Sequence, residues 1–150
     1  MRASSWLYPV VQIAHIVGFI VLAGGAILFD LRMLGLSSLR AGAAARVDLR
    51  ALGMHLLPWS VVAALLVVPS GVLMFAVDAE SLIGNRAFLL KLVLLACAAG
   101  NAIAFHLGVG RHWARWSAAE GPPPAARVHA GVSIGLWISI VSCGRMIAYV

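Results

Sequence analysis

Four long apolar runs dominate this 150-residue chain and leave few alternatives for its fold. They cover roughly 6–29, 52–77, 87–110 and 128–150, and short Arg-containing segments separate them. Each run is close to the roughly 20 residues that an α-helix needs to cross the hydrocarbon core of a bilayer. Charged residues make up only 11% of the chain, against about 25% in soluble proteins. The runs therefore indicate a membrane protein and leave no room for a soluble domain.

These runs predict an all-α integral membrane protein with a single domain over residues 1–150. We expect helices at about 6–30, 51–77, 87–110 and 127–149. Because the links are short, sequential helices are expected to be neighbours in an up-down-up-down four-helix bundle. The first run is too long for the apolar core of a signal peptide and lacks a clear cleavage site, so we interpret it as the first helix.

The basic residues indicate which way the chain crosses the membrane, because cytoplasmic segments are enriched in Lys and Arg. The first and third links, with the helix ends beside them, carry seven Arg residues, against four Arg or Lys on the other side. We therefore expect both termini outside the cytoplasm, in a bacterial inner membrane. The net charge of +6 follows from this topology and does not indicate nucleic acid. The seven are Arg32, Arg40, Arg46, Arg50, Arg111, Arg115 and Arg127, and the four are Arg2, Arg86, Lys91 and Arg145.

One histidine lies in each predicted helix, and three of the four share a depth. At about 1.5 Å per residue, His55, His106 and His129 lie within roughly 3–8 Å of the cytoplasmic boundary. Taken singly, each is explained by a hydrogen bond to a neighbouring helix, but three at one depth favour a shared ligand. Neutral imidazole binds iron, and bundle interiors hold cofactors between facing helices. We predict haem b in this layer, with the axial pair left open among the three and edge residues such as Arg32 near the propionates.

The outer half of the chain carries a second group of ligand-type side chains. His15 lies at a depth near Cys97 and Cys143, and Met residues follow toward the outer end. Imidazole, thiolate and thioether ligands suit copper, which makes a soft-metal site the alternative to haem. The two cysteines are also explained as packing residues, and they predict no disulfide.

Two basic residues lie toward the outer ends of the third and fourth predicted helices. Lys91 and Arg145 can neutralise haem propionates, bind an anionic or quinone-like headgroup, or extend to the interface with no ligand. Asn101 is expected to bond to a neighbouring helix or to orient the site around His106. Asp30 and the other acidic residues near the spans are interpreted as helix-edge residues.

Several short motifs follow one another along nearly the whole chain. They are His15, DLRMLGL at 30–36, PW at 58–59, NRAFLLKL at 85–92, NAIAFH at 101–106 and GRMIAY at 144–149. In order and spacing they resemble an uncharacterised family of small bacterial four-helix integral membrane proteins. The resemblance implies functional positions at His15, Arg32, Lys91, Asn101, His106 and Arg145. His55 and His129 lie outside this pattern. The topology and helix-borne histidines are also loosely similar to membrane cytochromes b and copper-resistance membrane proteins.

Three functions are compatible with these residues. We favour a haem b-binding electron-transfer protein that exchanges electrons between quinol and a redox partner. The alternatives are a transport protein for copper or a small solute, which with so few helices would need to form a homo-oligomer, and a non-catalytic accessory subunit of a larger membrane complex. The sequence contains no hydrolytic or phosphate-binding motif, and it does not decide whether the protein is an enzyme. The candidate cofactor-binding residues are His15, Arg32, His55, Lys91, Asn101, His106, His129 and Arg145, and the four histidines are the candidate metal ligands.

Overall fold

A computed structural model of the chain describes residues 6–36, 48–116 and 121–149. Within these ranges the secondary structure is entirely helical. Four helices are long and apolar enough to cross a membrane, which confirms the four predicted spans. The helices are α1 Leu7–Met33, α2 Leu49–Val77, α3 Ala79–Ile83, α4 Arg86–Leu107 and α5 Pro124–Met146, and a 3₁₀ segment covers Val109–Arg115.

Local hydrogen bonds and proline set the starts of three long helices. The Asp48 carboxylate accepts a hydrogen bond from the Arg50 amide at the start of α2 (3.2 Å). The Asn85 side-chain oxygen accepts one from the Phe88 amide at the start of α4 (3.0 Å). Pro124 opens α5, where its missing N–H costs no helical hydrogen bond. These caps place the helix starts within a few residues of the predicted positions.

The long helices pack most closely in the pairs α1–α2, α4–α5 and α1–α5, and the Phe75 ring of α2 stacks on the Phe88 ring of α4 with centroids 5.5 Å apart. α1 and α2 run in opposite directions: His15 of α1 bonds to Ser70 of α2, whereas an added Cβ on Gly53 near the start of α2 would lie 3.0 Å from Phe29 near the end of α1. The same holds for α4 and α5, because Asn85 before α4 donates to the Ile147 carbonyl after α5 and Asn101 near the end of α4 donates to the His129 carbonyl near the start of α5. We call the end where α1 and α4 finish and α2 and α5 begin the His106 end, and the opposite end the His15 end. In the described part of the chain, α2 and α4 have no extensive packing with each other.

The buried core is small, as expected where lipid covers the outer faces. One cluster lies near the His106 end and contains Met33, Phe105, Ala126 and Ala130. A second lies further along α1 and α5, around Ala23, Trp137 and Ile140. Most large apolar side chains point outward; Leu65, for example, is 70% exposed. Small residues at the helix contacts are typical of membrane bundles, where close packing replaces the hydrophobic effect.

Candidate functional site

A cavity of about 220 Å³, here called the His129 cavity, lies between α1, α2, α4 and α5 toward the His106 end. Its walls are largely apolar and include the aromatic rings of Phe29, Phe105, Trp113 and Trp137. An apolar cavity of about 150 Å³ is large enough to hold benzene, so this one can take a single substituted ring. The polar residues of the lining are Asp30, Ser60, Asn101, His106, His129 and Ser133.

Asn101 holds His129 through two hydrogen bonds that join α4 to α5. The Asn101 amide nitrogen donates to the main-chain carbonyl of His129 (3.1 Å). The Asn101 side-chain oxygen is therefore the acceptor for Nδ1 of the His129 ring (2.8 Å). Nδ1 then carries the proton, and Nε2 keeps a free lone pair. This is the tautomer that can bind a metal or accept a proton from a ligand.

Asp30 is a buried carboxyl group in the same lining. Its side chain is only 7% exposed, and its Oδ2 has no hydrogen-bond partner among the described residues. Ser133 of α5 lies in the same lining, and neither Arg nor Lys is among the described residues that line the cavity. A buried carboxylate without a cation is costly unless a donor or a proton satisfies it. Asp30 therefore marks a place where a ligand can supply a hydrogen-bond donor.

Two of the three histidines predicted to share a layer meet at this cavity. His106 and His129 both line it, and the Phe105 ring contacts both imidazoles, at centroid distances of 5.3 Å and 6.0 Å. His55 is exposed on α2 and does not line the cavity. A shared depth along the helices therefore brings together His106 and His129 but leaves His55 apart.

Trp113 forms part of the wall because Gly53 lets it approach α2. A Cβ added to Gly53 would lie 2.5 Å from two atoms of the indole ring, which is too close for a van der Waals contact. The ring also lies edge-on to Phe29, with centroids 5.7 Å apart. The 3₁₀ segment thus supplies an aromatic wall at the His106 end.

The remaining predicted residues lie outside the His129 cavity. His15 and Lys91 line a separate pocket at the His15 end. Arg145 is exposed, donates to the Tyr149 hydroxyl (2.7 Å) and lies over that ring at 5.0 Å. Arg32 is half-buried in the last turn of α1 and does not line either pocket.

The predicted soft-metal residues are spread over α1, α4 and α5. Cys97 is exposed, Cys143 is half-buried, and neither lines the pocket that contains His15. In the described ranges, no group of three or more His, Cys, Asp or Glu lies close enough to hold a metal ion.

Asp30 is the site residue that the sequence interpretation missed. A helix ending near residue 30 would place it at the membrane edge, whereas α1 continues to Met33 and buries it against α5. The available signal was the motif DLRMLGL, in which Asp30 is the first residue.

Haem b fits this lining in some respects and not in others. The free Nε2 of His129 and the imidazole of His106 are ligands of the kind that haem iron takes, but a cavity with room for a single substituted ring is smaller than the macrocycle. The charge does not suit haem, because haem carries two carboxylates and the lining already holds at Asp30 a carboxyl oxygen without a partner among the described residues.

No protein-family model, curated protein or solved structure matches the chain, so no relative's ligand or activity bears on this site.

Proposed function

We propose that this chain is a redox protein of a bacterial inner membrane that binds the headgroup of a quinol in the His129 cavity and passes its electrons to a redox partner. One observation carries the proposal: two acceptors without hydrogen-bond partners among the described residues, Asp30 Oδ2 and His129 Nε2, belong to one cavity lined by aromatic rings. A quinol is a planar ring with a hydroxyl donor at each of two opposite positions, so both acceptors find a donor in one ligand.

The chemistry follows from these groups. Oxidation of a quinol removes two electrons and two protons. The imidazole of His129 can accept one proton at Nε2, and the Asp30 carboxylate can accept the other. The electrons pass one at a time to the partner, by chemical class a haem or iron–sulfur protein. His106 is exposed at the cavity and offers a second imidazole through which protons leave.

The helix arrangement supports entry of a lipid-soluble ligand. The cavity is lined by α2 residues such as Leu57 and by α4 residues such as Ala102. In the described part of the chain, these two helices lack extensive packing with each other. A headgroup can therefore enter between them from the lipid, with its apolar tail left outside.

Haem b, bound by His106 and His129, is the second candidate for the same cavity. The free Nε2 of His129 favours it, and the group would supply one-electron transfer. It competes with the quinol because both need the same space. We also propose membership of the four-helix family named above, since its motif residues Asn101 and His106 both line the cavity.

The proposed orientation places the His106 end in the cytoplasm and both termini outside, in an up-down-up-down crossing. The charge distribution supports it, because Arg32, Arg50, Arg111 and Arg127 lie at or near this end. Protons taken from the quinol would then leave on the cytoplasmic side.

Quenching of tryptophan fluorescence by decylubiquinone tests the quinol site, because Trp113 and Trp137 line the cavity. We expect saturable quenching of the purified protein in nanodiscs. Asp30→Asn should weaken binding about 10-fold or more, since hydrogen bonds to charged groups contribute about 1.5–3 kcal/mol. His129→Phe should weaken it about 2- to 10-fold, since a hydrogen bond to a neutral imidazole contributes about 0.5–1.5 kcal/mol. His55→Phe is the matched control on an exposed position. Quenching that never saturates, or that is equal in all variants, would overturn the proposal.

An absorption spectrum separates the two candidates. A Soret band that shifts on reduction, and that is lost in both His106→Phe and His129→Phe, would favour haem over quinol. A spectrum without such a band, in protein produced with ample haem, would remove haem as the second candidate.

A further inference from the structure

We infer that the pocket at the His15 end, here called the His15 pocket, binds one anionic phospholipid whose headgroup carries free hydroxyls. The pocket measures about 190 Å³ and lies between α1, α4 and α5. It shares no lining residue with the His129 cavity, so the two sites are independent. Among the described residues, His15 and Lys91 supply its polar side chains, and the other lining residues are Ile16, Phe19, Ile20, Ile140, Val141 and Gly144.

Lys91 is a half-buried cation that lacks an acidic neighbour in this pocket. The described lining residues include neither Asp nor Glu. A cation taken out of water without a counter-charge is unfavourable, so a bound anion stabilises it. The ammonium lies against Gly144, where an added Cβ would be 3.7 Å from Nζ, and the pocket of about 190 Å³ is open beside it. The geometry therefore provides both a charge and room for an anionic group.

His15 supplies the second polar contact, and its hydrogen bonds define what it can accept. Ser70 donates its hydroxyl proton to the Leu66 carbonyl (2.6 Å). His15 Nδ1 lies 3.1 Å from the Val67 carbonyl and 3.0 Å from the Ser70 oxygen, so Nδ1 carries the proton and donates to them. Nε2 is left as an acceptor. A ligand that satisfies both residues needs an anionic oxygen for Lys91 and a hydroxyl donor for His15.

The position of the pocket indicates that this ligand is a lipid. Lys91 lies in the second turn of α4, and side chains lean toward the helix N-terminus, which brings its ammonium near the headgroups. Ile16, Ile20 and Val141 line the pocket and are 50%, 63% and 51% exposed, so acyl chains can lie against them. A phosphatidylglycerol headgroup has the required phosphate and hydroxyls, whereas phosphatidylcholine has no hydroxyl donor and no net charge.

Native mass spectrometry of the full chain released from detergent tests this assignment. Equal amounts of phosphatidylglycerol or phosphatidylcholine, or inorganic phosphate alone, are added as separate probes. We expect one retained phosphatidylglycerol, at least tenfold less phosphatidylcholine and no retained phosphate. Equal retention of both lipids would overturn the inference, and so would retention of phosphate alone, which would indicate a site for free anions.

Variants distinguish the pocket from general adhesion of lipid to basic residues. Lys91→Gln should reduce phosphatidylglycerol retention at least tenfold, and His15→Phe should reduce its preference over phosphatidylcholine. Arg86→Gln, on an exposed position of the same helix, is the control and should leave retention unchanged. Gly144→Leu fills the space and tests the pocket without removing a charge. An equal loss with Arg86→Gln, or full retention with Lys91→Gln, would contradict the inference.

Unchanged decylubiquinone quenching in Lys91→Gln shows that this variant is folded. The same measurement separates the test of the lipid site from the test of the quinol site.

Discussion

Asp30 is the one side chain in the described part of the protein with a buried polar atom, Oδ2, that has no hydrogen-bond partner. Asp30→Asn removes the buried charge and keeps the shape, so the thermal midpoint in detergent should stay the same or rise by a few degrees. Asp48→Asn, which retains an N-cap at the exposed start of α2, is the control. A large fall in the midpoint for Asp30→Asn alone would show that the carboxyl group stabilises the helix contact and is not held ready for a ligand.

Asn101 is the residue that we expect to stabilise the α4 and α5 contact most directly. Asn101→Leu removes both hydrogen bonds to His129 and leaves its ring N–H without an acceptor. The free energy of unfolding should fall by about 1–2 kcal/mol, a typical range for polar contacts between membrane helices. Ser142→Ala removes a bond within one helix, to the Ile138 carbonyl, and should change it by less than half as much. Unfolding titrations in mixed micelles measure both, and equal effects would contradict the expectation.

Depth along a helix can be predicted from sequence, but the face on which a residue lies cannot. His55, His106 and His129 share a depth, yet only the last two line the cavity. The direction of each side chain depends on which helices become neighbours, and a run of apolar residues on all sides does not specify this. For the same reason the sequence predicts Asp30 as a helix-edge residue, because its burial depends on which helices pack around the end of α1.

The contact between α1 and α2 depends on the close approach of the two helices at Gly18. A Cβ added there would lie 2.9 Å from Val67 Cγ2, whereas one added to Gly24 would meet nothing within 4 Å. Gly18→Ala should destabilise the protein by about 1–2 kcal/mol because the side chains must shift. Gly24→Ala should be neutral or stabilising by up to about 1 kcal/mol, since Ala favours helix. Thermal unfolding of the pair in one detergent measures the difference, and the opposite order would exclude a close contact at Gly18.

The existence of the helices was easier to predict than their ends. Length and hydropathy identify four spans because a bilayer requires about 20 apolar residues, and the structure has four such helices. The short α3 and the 3₁₀ segment were not expected, because they depend on local bonds such as that from Ser81 to the Asp78 carbonyl (3.1 Å). The segments 37–47 and 117–120, which carry part of the predicted cytoplasmic links, lie outside the described residues.

Both proposed sites lie against the contact between α1 and α5, the His129 cavity at one end and the His15 pocket at the other. Short links predict that sequential helices are neighbours, and the pairs α1–α2 and α4–α5 do pack closely, whereas α2 and α4 have few contacts in the described part of the chain. The contact between α1 and α5 could not be predicted from the sequence, because the order of helices along the chain does not fix which other pairs pack. The two pockets lie at opposite ends of the helices. His15 therefore belongs to a different site from His106 and His129.

The direction of crossing decides on which side protons from the quinol would leave. In a Cys97→Ala, Cys143→Ala background, single cysteines at Ser81 and His112 report on the two ends, since both positions are exposed. A membrane-impermeant maleimide should label the cysteine at 81 in intact spheroplasts and the cysteine at 112 only after permeabilisation, because Arg residues concentrate at the His106 end. The control is equal labelling of both after permeabilisation. The reverse pattern would place the His129 cavity toward the outer face, and protons taken from the quinol would be released outside the cell. The ligand contacts proposed for Asp30 and His129 would be unaffected.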